Sequence, residues 1–264
     1  MLGADGSRPV FAISCARGIG IVIEHRPYLS LGCISRDWLK SRLHVRFGDA
    51  GRAQHAPLGA LHVWNDDEFA PRSGFGMHAH RDVEIVTWVR SGAITHEDDS
   101  GNRARVVAGS AQVMSAGAGM HHAERNEEAL PTRLFQIWLH PRTPGGKPRW
   151  AMLACSPESR EGRFVTIASG DPCEIDAGAL PIHADARVRV ATLREGDTLC
   201  WALPAPGTAY LVADHGGLEL GGARLAPRDG AAIRDERTVV LNAHADTDVV
   251  LVELLSSRKG GNGR

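Results

Sequence analysis

Lysine is nearly missing from this chain of 264 residues: only Lys40, Lys147 and Lys259 occur, and arginine carries most of the positive charge. That bias is compositional and points to no chemistry by itself. Nor is there an excess of either charge. Thirty Lys and Arg offset 31 Asp and Glu, for a formal net charge of −1, so no basic field exists to draw in nucleic acid or an acidic lipid surface. No C-x-x-C pair occurs among the five scattered cysteines, Cys15, Cys33, Cys155, Cys173 and Cys200, which argues against a cysteine zinc site or dithiol exchange and fits reduced thiols in a cytoplasmic setting. No stretch approaches the ~20 apolar residues needed to span a bilayer. Ala12-Ile13-Ser14-Cys15 loosely resembles a lipoprotein cleavage box, but Arg8 is the only basic residue before it, and the apolar run from Pro9 to Ile13 is too short for a signal h-region. The expectation is a cytoplasmic protein with no membrane and no direct nucleic-acid partner.

What is present is enough apolar material, 43%, for a proper core in one large or two ordinary domains. Residues 1–20 read as a loose leader, with Ile21-Val22-Ile23 as a first strand candidate. Short strand patterns follow: Leu61 to Trp64, Glu84 to Val89, a Ser91-Gly92 turn into Ala93 to His96, Arg105 to Ala108, Ala111 to Met114, and Leu134 to Leu139. Strands of this length divided by glycine turns argue for β-sandwich or barrel architecture. Pro141 to Pro148 combines three prolines with two glycines and is the natural boundary. The same rhythm resumes beyond it in Arg187 to Val190, Ala209 to Ala213, Leu218 to Leu220, Thr238 to Leu241 and Asp248 to Leu254, with Gly216-Gly217 and Gly221-Gly222 as turns. The expected division is a leader (1–20), a first domain (21–144), a second (145–255) and a flexible tail (256–264).

Two motifs in the first half carry chemistry. Met77-His78-Ala79-His80 and His121-His122-Ala123-Glu124 lie about forty residues apart. Side chains alternate along a strand, so His78 and His80 share one face, and so do His122 and Glu124. Imidazoles with a carboxylate and no thiolate suit a divalent iron, manganese, nickel, copper or zinc ion that keeps open positions, as in a catalytic site. His121 points the other way on a regular strand and is expected to be no ligand. His183, His215 and His244 stand alone in the second half and read as ordinary loop or surface histidines.

With those residues in view, the chain resembles the pirin family of the cupin superfamily. The first cupin pattern is met by His78, His80 and Glu84. The second is met by Gly109, His122 and Asn126, with two extra residues in its turn. Trp38-Leu39-Lys40-Ser41 with Phe47-Gly48-Asp49, Trp64-Asn65-Asp66-Asp67 and Gln136-Ile137-Trp138 resemble the bacterial branch. The resemblance implies an all-β fold of two tandem cupin-type barrels, or jelly rolls, with one divalent transition metal ion in the first. Iron(II) is the expected ion, with manganese, nickel, copper or zinc as alternatives, and Glu124 rather than Glu84 is the carboxylate ligand. It implies a dioxygenase, with a flavonol such as quercetin and dioxygen as partners, that opens the central ring and releases carbon monoxide, with Glu124 as proton acceptor. Phe75, Met77, Met114 and Met120 are candidates for an apolar wall or for plain packing. The alternative is a regulatory iron protein acting through a protein partner without turnover.

Overall fold

The computed structural model describes residues 22–205 and 207–255; the expected leader and tail lie outside them. Twelve strands come first: β1 (Val22–Arg26), β2 (Gly32–Ser35), β3 (Leu39–Leu43), β4 (Leu61–Phe69), β5 (Ser73–His80), β6 (Glu84–Ser91), β7 (Ala93–Asp98), β8 (Arg103–Val107), β9 (Ser110–Ser115), β10 (Met120–Asn126), β11 (Thr132–Leu139) and β12 (Arg149–Ala154). Ten follow: β13 (Val165–Ser169), β14 (Leu180–Pro181), β15 (Ala186–Leu193), β16 (Thr198–Ala202), β17 (Thr208–Ala213), β18 (Leu218–Leu220), β19 (Ala223–Leu225), β20 (Gly230–Arg234), β21 (Thr238–Ala243) and β22 (Thr247–Leu254). The one α-helix described, Pro172–Asp176, is a single short turn capped by Asp171.

These strands form two cupin-type sandwiches. In the first, the seven-stranded sheet β12-β9-β6-β11-β4-β3-β2 faces the four-stranded sheet β5-β10-β7-β8; in the second, β1-β20-β17-β22-β15-β13-β14 faces β16-β21-β18-β19. The large sheets pack on each other. Val86 and Trp88 of β6, Trp64 of β4 and Phe135 of β11 share one core with Tyr210 and Val212 of β17 and Val250 and Val252 of β22. The alternate residues of the same strands turn into their own sandwich, as Val89 and Leu134 do in the first and Leu211 and Leu251 in the second. A strand covered on both faces has no polar side to show, which is why β6 and β22 read as nearly unbroken apolar runs.

The expected division at residue 144 is crossed in both directions. β1 pairs along its whole length with β20 of the second sandwich, Val22 opposite Arg234 through Arg26 opposite Gly230. β12 returns past the proline-rich segment to pair with β9, Arg149 opposite Ser115 through Ala154 opposite Ser110. Each crossing strand hydrogen-bonds a sheet edge that would otherwise leave its backbone groups unpaired. It also carries Trp150 to the site described next.

Candidate metal centre

The four-stranded sheet of the first sandwich builds the site, and β10 is its middle. On one side β5 runs antiparallel, with His122 opposite His78. On the other side β7 places Asp98 opposite His122 and His96 opposite Glu124. The pairing of β10 with β5 shifts between His122 and Glu124, whereas its pairing with β7 runs without a break. Gly74 permits the shift. Its φ is +150°, and a Cβ there would lie 2.3 Å from the Glu124 carbonyl oxygen, a contact that only glycine avoids.

Donor atoms of His78, His80 and His122 lie within 4.8 Å of one another, and the rings of His78 and His80 stand 4.5 and 5.0 Å from that of His122. His122, His96 and Glu124 form a second such group, all three buried. Sequence reasoning had not singled out His96, although a histidine and a carboxylate two apart on one strand, His96 and Asp98, were a signal. Among the described residues these are the two groups of three or more potential ligands, and both lie in the first sandwich.

Both ring nitrogens of His122 are buried without a hydrogen-bond partner. That is expensive for a polar group unless something outside the protein takes a lone pair, and a cation is what three converging imidazoles accept. The cluster is electrostatically prepared for one. Burial and the facing His78 hold His80 down to about 4, and burial with His78, His80 and His96 depresses His122 to about 2, so these two rings stay neutral with lone pairs free at neutral pH. His78 Nδ1 lies 2.8 Å from the Gly76 carbonyl oxygen, which as an acceptor orients that ring.

Glu124 is fully enclosed and held at both oxygens. Gln112 Nε2 donates to Oε1 at 2.6 Å and Gln136 Nε2 to Oε2. Each amide is turned by an indole: Trp150 Nε1 donates to Gln112 Oε1 and Trp138 Nε1 to Gln136 Oε1, both at 3.0 Å. Burial, followed by the nearby Asp67, pushes the Glu124 carboxyl up to about 7 against the pull of those amide donors.

The remaining candidates fall elsewhere. Glu84 is buried and accepts from Ser115 Oγ at 2.6 Å; it belongs to neither ligand group. His121 faces outward, with Nδ1 3.0 Å from Asp99 Oδ2. Asn126 ties down its loop, donating to the carbonyl oxygens of Phe69, Ala70 and Leu130. Met114 and Met120 pack with Val83, Ile85 and Ala116, and Phe75 packs against Trp38 and Phe69. Met77 is exposed. Where the first sandwich gathers histidines, the second fills its interior with charge pairing: Glu253, buried, accepts from Arg189 Nε at 3.0 Å and from Trp201 Nε1 at 2.5 Å.

Comparison with known proteins agrees with this architecture. Residues 27–139 match the Pirin family profile, and residues 166–254 match that of the quercetinase C-terminal cupin domain. The chain is 47% identical over 232 residues to a pirin-like protein of Caulobacter vibrioides, covering 88% of this chain and 99% of that one. It is 30% identical over 224 residues to the quercetin 2,3-dioxygenase of Escherichia coli K12, covering 84% and 94%. The crystal structure of the bacterial pirin YhhW from Escherichia coli in complex with nickel(II) superposes with a TM-score of 0.82 at 30% identity, over 89% of this chain and 99% of that one. Two linked cupin sandwiches, a histidine-lined first barrel and matches running through both halves make this chain a member of the pirin family.

Proposed function

We propose that the chain is a metal-dependent dioxygenase of the pirin type that cleaves a flavonol such as quercetin, with His78, His80, His122 and Glu124 holding one divalent transition ion. The observation that carries this reading is the buried His122, whose two ring nitrogens have no partner beside the converging His78 and His80. Names of relatives, among them the Escherichia coli quercetin 2,3-dioxygenase, support the substrate class.

A divalent ion at this place supplies Lewis acidity, lowering the pKa of a hydroxyl that binds it. The protein supplies the rest. His78, His80 and His122 are its nitrogen donors, and Glu124, grouped with His122, is the anionic one. Glu124 is also the group to take the flavonol hydroxyl proton, on a carboxylate oxygen not engaged with the ion, because burial favours its protonated form and makes that oxygen a stronger base than an exposed glutamate's. Beside His80, the Trp138 ring stands edge-on at 5.0 Å and the exposed Phe47 packs on Trp138 at 5.4 Å; these two rings are the flank offered to a flat aromatic substrate.

The test is turnover. Purified chain loaded in parallel with iron(II), manganese(II), nickel(II) or copper(II) is expected to bleach quercetin absorbance and consume dioxygen, and His80→Ala is expected to abolish both. Metal-loaded protein that leaves quercetin and related flavonols unchanged would defeat the proposal.

A further inference from the structure

The four ligands proposed above leave the innermost imidazole of the cluster unused. His96 Nε2 lies 3.1 Å from Asp98 Oδ2. Asp98 is surrounded by donors: its Oδ1 accepts the backbone N–H groups of Ser100 and Asn102, both at 3.0 Å, and Asn102 Nδ2 reaches its two oxygens at 3.1 and 2.8 Å. A carboxylate so surrounded has only lone pairs to offer, so the proton between it and His96 belongs to Nε2. Nδ1 of His96 then carries the lone pair, and it is buried with no partner. The ring cannot easily turn, because Trp150 stacks on it at 5.0 Å with an interplanar angle of 14°. An imidazole with one N–H held by a carboxylate and its other nitrogen's lone pair unused has the arrangement of a metal-ligating histidine.

We infer that His96, through Nδ1, completes an inner cation seat with His122 and Glu124, so that the cluster offers one divalent transition ion two overlapping positions. At the outer position His78 and His80 would hold the ion and at the inner one His96 would, with His122 and Glu124 common to both. Two imidazole nitrogens and a carboxylate oxygen suit a first-row divalent ion. The positions are distinct for a geometric reason. His96 groups with His122 and Glu124 and not with His78 and His80. Glu124 lies directly across from His96 on β7, and all three inner residues are buried, which excludes competing water.

This inference rests on the reading of the cluster as a metal site, and the experiment separates the two. Zinc(II) and cobalt(II) binding is measured by calorimetry and by the visible spectrum of the cobalt form, with folding checked by circular dichroism. The His78→Ala/His80→Ala double variant, which lacks the outer position, is expected to bind one equivalent with a cobalt spectrum unlike that of the unaltered protein. Adding His96→Ala is expected to weaken that binding at least 100-fold. Asp98→Asn, or His96→Gln should the alanine variant fail to fold, is expected to weaken it about 10- to 100-fold in the same background. Unaltered protein that binds while the double variant does not, or a double variant indifferent to the changes at positions 96 and 98, overturns the inner seat alone. Failure of the unaltered protein to bind either ion overturns the metal reading with it.

Discussion

Glu124 is pulled in two directions. Its enclosure favours the neutral acid, while two glutamine N–H donors favour the carboxylate. Because Trp150 and Trp138 each claim an amide oxygen, neither glutamine can flip to accept a proton from position 124 without abandoning an indole. Glu124→Gln therefore sets two donors face to face at one oxygen site. The expected cost is about 1–3 kcal/mol of stability in urea titrations, with turnover of quercetin falling further than metal occupancy. Equal losses of turnover and occupancy would show that Glu124 coordinates without taking a proton. Asp67 is a second buried carboxyl, pushed to about 7 first by burial and then by Asp66, against Ser41 and Arg90, and its Oδ1 has no partner. Its folded pKa lies above the ordinary value of 3.8, so its favourable contribution is complete below about pH 4 and disappears as pH rises through about 7. Metal-free Asp67→Asn is expected to melt at least about 2 °C above the parent at pH 8 and close to it at pH 4. A gain at pH 4 as large as that at pH 8 would contradict this assignment.

At the scale of elements, the centre depends on how three antiparallel strands register. β10 supplies His122 and Glu124, β5 lies against it with His78, and β7 with His96 and Asp98. The register shift on the β5 side rests on Gly74. In Gly74→Ala the new methyl meets the Glu124 carbonyl oxygen at 2.3 Å and the Arg125 Cα at 2.6 Å, both on backbone that a rotamer change cannot move. The expected result is a loss of about 2 kcal/mol or more, together with at least tenfold weaker zinc(II) binding, because the ligand pairs lose their alignment. A variant that loses stability but binds zinc(II) as before would separate the register from the site. Much of this element was legible beforehand. The pairs His78/His80 and His122/Glu124 were visible because alternation along a strand acts over two residues. The contacts of Gln112, Gln136 and Trp150 were not, although Gln136 falls in a family-like segment, because these side chains reach Glu124 and His96 from β9, β11 and β12, strands whose pairing no short-range pattern encodes. His96 lay between these cases, alone as a histidine but with its carboxylate two residues on.

Across the whole molecule, two sandwiches share one core and exchange edge strands. A buried charge network also links them. Arg90 donates to Asp66 and Asp214, and Arg228 Nε donates to Asp66 Oδ2 at 2.6 Å, so Asp66 of the first sandwich is the acceptor for guanidinium groups from both. Removing it leaves Arg90 with one acceptor fewer and costs about 3–5 kcal/mol. Asp66→Ala is expected to lower the melting temperature by roughly 6–20 °C while calorimetry still records a single transition, since the large sheets cannot part without exposing Trp64, Trp88 and Tyr210. Two separate transitions, in the parent or the variant, would contradict a shared core.

The sequence alone determined what acts locally. Alternating apolar residues and glycine turns specified strands, and the spacing of four side chains put two pairs of potential metal-binding groups on strand faces. Tertiary structure decided what depends on distant pairing. β1 joined the second sandwich and β12 the first, because sheet edges are completed by whichever strand reaches them. It also brought His96, Gln112, Gln136 and Trp150 around Glu124. Enclosure there, which no run of neighbouring residues records, sets the charge of each group by removing water from it.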